Sequence, residues 1–160
     1  MNLTADIEEW IKEKLSKSHS AFNMMPACPY AKRAWTDNKV IIRQCNGLDI
    51  YNIMDDDTLL WDDDKEVVVY GFDPSTISAD QLSAAVEQAN DTYLGVRGLV
   101  ALEDHPDDPE EVAGVYLNQG AWGLVLLQKR AKLEEAREYL ESKGYYKFWD
   151  PEYKKEVTGR

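Results

Sequence analysis

A nearly continuous apolar run at 66–72 constrains the fold of this chain most strongly. Its sequence is Glu-Val-Val-Val-Tyr-Gly-Phe, and β-branched and aromatic residues favour extended structure. A strand with water on one face alternates apolar and polar residues, whereas a strand covered on both faces is apolar almost throughout. The run therefore predicts a central strand in a sheet that is covered on both faces.

The segments after this run alternate between helical and extended patterns. Ser78 and Gln81 have the spacing of a capping box, which predicts the start of a helix over 79–94. Short apolar runs between turn residues predict the following strands. The remaining predicted elements are strands at 98–103, 122–128 and 145–149 and a helix over 130–143.

This order of strand, helix, strand, strand, helix and strand is typical of the ferredoxin-like fold, in which two helices cover one face of an antiparallel sheet. We therefore predict an α+β protein, a single domain over 1–160, with a ferredoxin-like core at 65–150. An N-terminal extension over 1–64 would add a helix and a strand at 39–44. The charged segment 151–160 follows a proline and is predicted to be a frayed tail. The main alternative is a doubly wound sheet. That fold requires strict alternation of strands and helices, whereas no helix is predicted between the strands at 98–103 and 122–128.

The net charge of −12, from 18 basic and 30 acidic residues, limits the classes of partner. It opposes nonspecific binding to nucleic acid or to anionic membranes and favours basic partners. No apolar run approaches the roughly 18 residues that span a bilayer, and no basic segment precedes an apolar one at the N-terminus. Together with only two cysteines, these features predict a cytoplasmic protein with free thiols.

The segment 24–35 concentrates residue types that are useful for chemistry. Cys28 and Pro29 have the pattern of an N-cap and a first helical residue, which predicts a short helix over 29–35. A thiol at a helix N-terminus has a lowered pKa, and Lys32 and Arg33 would add positive charge. The alternative is a thiol that is buried among neighbouring aromatic side chains.

Two resemblances involve this segment. Cys28-Pro29-Tyr30-Ala31 is similar to the Cys-Pro-Tyr-Cys motif of glutaredoxins, with alanine in place of the second cysteine. More of the chain resembles a bacterial family with a Cys-Pro-Phe-Ala-Lys stretch after its first helix and a His-Pro-Asp after a later strand. The residues that match this family are Cys28, Pro29, Ala31, Lys32, His105, Pro106 and Asp107. The chain departs from the family at 118–122, and the resemblance implies no particular activity or cofactor.

The first functional hypothesis is a small enzyme or ligand-binding domain. Cys28 and His105 would form a nucleophile and base pair, and Lys32 and Arg33 would hold a small anionic ligand. Tyr30 and Asn118 are predicted as further ligand contacts. Two alternatives remain for the histidine: His105-Pro106 is a simple turn, or His105 joins nearby aspartates around a divalent ion, although no metal is predicted.

The second hypothesis is a non-catalytic interaction protein. Its acidic surface would bind a basic partner or, in a stronger form, imitate nucleic acid. Nucleic-acid mimicry calls for acidic rows spaced like phosphates, whereas the longest acidic runs here, at 55–57, 62–64 and 107–111, have the composition of loops.

Overall fold

The computed structural model describes residues 2–160 and has a four-stranded mixed sheet at its centre. The strands lie in the order β1-β2-β6-β3, with β1 parallel to β2 and the other pairs antiparallel. Their bounds are Val40–Gln44 for β1, Val67–Phe72 for β2, Leu99–Asp104 for β3 and Gly123–Lys129 for β6. A two-stranded hairpin, β4 at Glu111–Val112 and β5 at Val115–Tyr116, lies in the connection between β3 and β6.

Two helices cover one face of the sheet. They are α3, Ile50–Asp57, and α4, Ala79–Ala89, which a π-helical segment extends through Leu94. The alternate β2 residues Val68, Tyr70 and Phe72 point into this layer. The predicted capping box starts α4: the Ser78 hydroxyl accepts from Gln81 N–H, and the Gln81 side chain accepts from Ser78 N–H.

The opposite face is covered by α1, Leu3–Trp10, its π-helical extension Ile11–Leu15, and α2, Ala31–Thr36. The predicted N-terminal helix is confirmed, and its residues Ile7, Trp10, Ile11 and Leu15, which recur at helical spacing, are all buried there. Val69 of β2 lies among them. The strand β2 is thus central and covered on both faces, as the apolar run predicts.

A third apolar cluster lies outside these two layers. Its members include Phe22, Val112, Leu140 and the aromatic residues at 145–149. Helix α5, Arg130–Ser142, buries Leu140 in this cluster and not in the layer that contains α4. The prediction that α4 and α5 pack on the same face of the sheet is therefore wrong.

The α+β class and most of the predicted elements are confirmed, and the ferredoxin-like arrangement is not. The predicted strand at 145–149 consists of turns, because Tyr145 stacks on Phe22 and its hydroxyl donates to the Ala27 carbonyl. The place beside β2 is taken by β1. Residues in the predicted N-terminal extension thus supply a strand and a helical layer.

The predicted frayed tail is a helix, α6, over Pro151–Thr158. The Asp150 side chain caps it by accepting from the N–H groups of Glu152 and Tyr153, and Pro151 occupies its first turn. Tyr153 also packs against Trp149, with ring centroids 5.5 Å apart. Within residues 2–160, no helix combines the length and the apolar character needed to cross a bilayer.

Candidate functional site

A groove with a volume of about 840 Å³ runs along the outer edge of β3. We call it the β3 groove. Its walls are α4, the connection that follows β3, the first turns of α5, and α6. Apolar side chains form one side of it, including Trp10, Leu102, Leu117 and Leu126. The other side chains that line it include eight carboxyl groups and three guanidinium groups, so its net charge is negative.

The backbone edge of β3 is protected at Ala101 inside this groove. The Asn90 side chain accepts from Ala101 N–H at 2.8 Å and donates to the Ala101 carbonyl at 3.0 Å. An amide side chain thereby makes the two hydrogen bonds that a neighbouring strand would make. At Ala101, therefore, the edge offers no free backbone groups to a further strand.

The strongest polar contact in the β3 groove joins Glu103 to Arg160. The Arg160 Nη2 atom donates to Glu103 Oε2 at 2.6 Å, and the Glu103 side chain is only 13% exposed. The other carboxylate oxygen, Oε1, accepts from the Ser83 hydroxyl at 3.2 Å. Glu103 is thus held in place by α4 and presents one oxygen to a guanidinium group.

Two further arginines contact the main chain of the same residue. Arg130 and Arg137, both on α5, each donate from Nη1 to the Arg160 carbonyl oxygen at 3.3 Å. Burial lowers the pKa of Arg137, and the positive charges of Arg130 and Arg160 lower it further. Arg160 is therefore bound at both ends, its side chain by an acid and its carbonyl oxygen by two cations.

Two carboxyl groups of the β3 groove, those of Asp104 and Glu110, have raised pKa values. Glu110 is exposed as a residue, but partial desolvation of its carboxyl group raises its pKa, and the negative charges of Asp104 and Glu103 raise it further. The Tyr153 hydroxyl, which donates to Glu110 at 3.1 Å, and the charge of Arg160 oppose this shift. Burial also raises the pKa of Asp104, although Gln119 N–H donates to it at 2.9 Å. The groove thus holds more negative charge than its own cations neutralise.

Cys28 lies outside the β3 groove, on the face covered by α1. Its N–H donates to the Leu15 carbonyl and its carbonyl accepts from Ala31 N–H, so Pro29 and Tyr30 form a turn before α2. Burial raises the pKa of the Cys28 thiol, and the N–H groups of Tyr30 and Ala31 oppose only part of this shift. The prediction of a helix N-cap with a lowered thiol pKa is therefore wrong.

His105 lines the β3 groove, but its ring is engaged by the backbone. The side chain is 3% exposed, and Nε2 lies 2.8 Å from the Ile77 carbonyl and 3.1 Å from the Pro74 carbonyl. Nδ1 lies 3.1 Å from Asp107 N–H. This pattern requires a hydrogen on Nε2 and a lone pair on Nδ1, which describes a neutral imidazole. His105 thus fastens the segment before α4 to the turn after β3.

The other predicted site residues are dispersed. Arg33 is largely exposed and pairs with Asp37, the residue that follows α2, and Lys32 and Tyr30 are also exposed. Asn118 does line the β3 groove, where its main-chain carbonyl accepts from Lys14 Nζ at 2.9 Å. His105 and Asn118 therefore share a cavity that does not include Cys28, Tyr30, Lys32 or Arg33.

The alternative of a divalent ion at His105 has no support in this geometry, because both ring nitrogens already make hydrogen bonds. Across residues 2–160, no three His, Cys, Asp or Glu side chains are grouped as metal ligands would be. The turn interpretation of His105-Pro106 fits better, since Asp108 N–H donates to the His105 carbonyl.

Comparisons of the chain with family models, with curated proteins and with solved structures find no match. The resemblance of the Cys28 and His105 motifs to a bacterial family stays a prediction.

The sequence alone does not identify the charged residues of the β3 groove as a site. Glu103, Arg137 and Arg160 belong to three separate segments, and only the fold brings them together. Only Arg130 has a sequence signal of its own, because a basic residue at the start of a helix can contact an anion there. In the structure it contacts an oxygen atom, that of Arg160.

Proposed function

We propose that the protein is a non-catalytic binding domain whose β3 groove takes a cationic group of a ligand or partner protein. The observation that carries this proposal is the Glu103–Arg160 pair, in which a largely buried carboxylate already holds a guanidinium group. Charge-assisted contacts of this kind are shorter and stronger than neutral hydrogen bonds.

The electrostatics of the β3 groove favour a cation. Carboxyl groups outnumber guanidinium groups along its walls, and Asp104 and Glu110 have raised pKa values. A carboxyl group with a raised pKa lies where its negative charge is poorly compensated. A bound cation would supply that compensation, whereas an anion would add to the repulsion.

This proposal takes one element from each of the two hypotheses. It keeps a ligand site beside the His105 connection, and it gives the acidic character of the chain a definite location for a basic partner. The thiol of Cys28 is buried with a raised pKa, and both nitrogens of His105 are bonded to the backbone. These observations support binding more than nucleophilic catalysis.

The test is an NMR titration of ¹⁵N-labelled protein with butylguanidinium, and with butyrate as an anion of similar size. We expect butylguanidinium to shift amides at 102–104, 110–111 and 156–160, and butyrate to leave them in place. Glu103→Gln should weaken the binding. Asp56→Asn, which removes the same charge from an exposed position on α3, should not. Equal binding of both probes, or binding that ignores Glu103→Gln, would contradict the proposal.

A further inference from the structure

We infer that Arg160 occupies the β3 groove as an internal ligand, and that the external ligand is an arginine recognised through both its guanidinium group and its carbonyl or carboxylate oxygen. This inference rests on the proposed function and names the ligand class and the regulation of that site. The two ends of Arg160 give two independent reasons for it.

The first reason is the acceptor for the side chain. A guanidinium group has a planar array of donors that matches a carboxylate, whereas an ammonium group is a compact, strongly hydrated charge. Glu103 Oε1 is fixed by Ser83, which leaves Oε2 for the incoming donor. The donor that takes this oxygen in the structure is the Nη2 atom of a guanidinium group, so we expect arginine rather than lysine to fit the groove.

The second reason is the pair of arginines on α5. Arg130 and Arg137 are seven residues apart, about two helical turns, and therefore lie on one face of the helix. Their guanidinium groups converge on a single oxygen, the Arg160 carbonyl. Two cations that approach each other are stabilised by an acceptor between them. The site thus recognises an oxygen near the α-carbon as well as the guanidinium group.

The segment that holds Arg160 in place is suited to release. Every residue of α6 is at least partly exposed. Its side chains make polar contacts with the rest of the protein, including Tyr153 to Glu110 and Lys154 to Glu141, and one aromatic contact, Tyr153 against Trp149. Ion pairs with exposed partners contribute little to stability. An external arginine can therefore compete with Arg160. The apparent association constant of the external ligand is its intrinsic constant multiplied by the fraction of molecules in which Arg160 has left the site.

The experiment measures the affinities of four small probes by calorimetry, for the wild-type protein and for Arg160→Gln. N-acetyl-L-argininamide carries the guanidinium group and a peptide-like carbonyl, and L-arginine carries a free carboxylate. Butylguanidinium lacks the oxygen, and N-acetyl-L-lysinamide lacks the guanidinium group. Arg160→Gln removes the contact with Glu103, so the segment can leave the groove together with the main-chain oxygen that Arg130 and Arg137 hold. We therefore expect this variant to bind N-acetyl-L-argininamide roughly tenfold more tightly than the wild type. Arg33→Gln, an exposed arginine of α2 paired with Asp37, should change nothing.

Within the Arg160→Gln variant, we expect N-acetyl-L-argininamide to bind roughly tenfold more tightly than butylguanidinium or N-acetyl-L-lysinamide. Arg137→Gln in the same background should abolish the preference over butylguanidinium and keep the binding itself. Arg160→Lys provides a second variant if the glutamine variant unfolds, with a smaller gain expected. The ratio of L-arginine to N-acetyl-L-argininamide affinities shows whether the free amino acid or a peptide is the better source.

The outcomes separate the two claims. If butylguanidinium binds as tightly as N-acetyl-L-argininamide, or if Arg160→Gln gives no gain, the inference about arginine is overturned while the cation-binding groove stands. If no cationic probe binds either protein, the proposed function fails as well.

Discussion

The Arg160 guanidinium group lies 2.6 Å from the Glu103 carboxylate and connects the segment after α6 to the end of the edge strand β3. Arg130 and Arg137 hold the carbonyl oxygen of the same residue. Arg160 therefore both attaches the segment after α6 and fills the acidic part of the β3 groove. Stability and binding should therefore be coupled through Arg160.

The first prediction concerns the pH dependence of stability at Glu110. Its pKa is raised in the folded protein, so the native state binds more protons than the unfolded chain between the ordinary pKa and the folded pKa. Stability is fully present below the ordinary value and is lost as pH rises through the folded value. Glu110→Gln removes this loss and should therefore raise the melting temperature at pH 7.

Melting temperatures of both proteins between pH 3 and pH 8 check this expectation. The difference should shrink to near zero below about pH 4, where the glutamate is neutral in both states. Asp56→Asn, at an exposed position, is the matched control and should show no comparable trend. A Glu110→Gln protein that is less stable than the wild type at every pH would show that the carboxylate is favourable where it lies.

The second prediction concerns the thiols. Burial raises the pKa of Cys28 and raises that of Cys45 to about 11. We expect both single-cysteine variants, Cys28→Ser and Cys45→Ser, to react with iodoacetamide at pH 8 roughly tenfold more slowly than an unstructured thiol peptide, because little thiolate is present. Mass spectrometry over time measures the two rates. Fast alkylation of Cys28 in the folded protein would restore it as a candidate nucleophile.

The third prediction tests the third apolar cluster. The buried Tyr145 hydroxyl donates to the Ala27 carbonyl, and removing it leaves that carbonyl without this donor. Tyr145→Phe should lower the free energy of unfolding by about 1–2 kcal/mol. Tyr139→Phe makes the same change at a side chain that is 52% exposed and should cost close to nothing. Urea unfolding of both variants provides the comparison, and equal losses would contradict this role of the hydrogen bond.

The sequence predicts those parts of the fold that depend on local patterns. The apolar run of β2 and the Ser78 capping box both give correct elements, because their information lies within a few residues. The aromatic segment 145–149 has the composition of a strand, yet Tyr145 packs against Phe22, which is distant in sequence. Only a tertiary contact of this kind decides between a strand and a turn.

Two proline motifs show how the same pattern can lead to opposite results. Cys28-Pro29 and Asp150-Pro151 both resemble an N-cap followed by a first helical residue. The aspartate does cap a helix, since its carboxylate accepts from two N–H groups. Cys28 instead lies in a turn fixed by the Leu15 carbonyl, and α2 starts later, at Ala31.

The candidate site was only partly predictable. The acidic composition predicts a basic partner, which agrees with the proposed cation site but stays a prediction. His105 and Asn118 do lie in the β3 groove. The contact of Glu103 with Arg160 spans 57 residues of sequence, and no periodicity or motif connects such residues. Pairing Cys28 with His105 required two segments to meet, and the thiol instead packs on the face covered by α1.

Whether Arg160 is the internal ligand of the β3 groove can be measured on its own side chain, by ¹H–¹⁵N NMR of its Nε group. In the wild-type protein without ligand, this signal should lie away from the position of free arginine and should move toward it in Glu103→Gln. Saturation with N-acetyl-L-argininamide should move it toward the free position, in proportion to the shift of the Glu103 amide. If the ligand saturates the β3 groove while the Arg160 signal stays in place, Arg160 is not the internal ligand of this site.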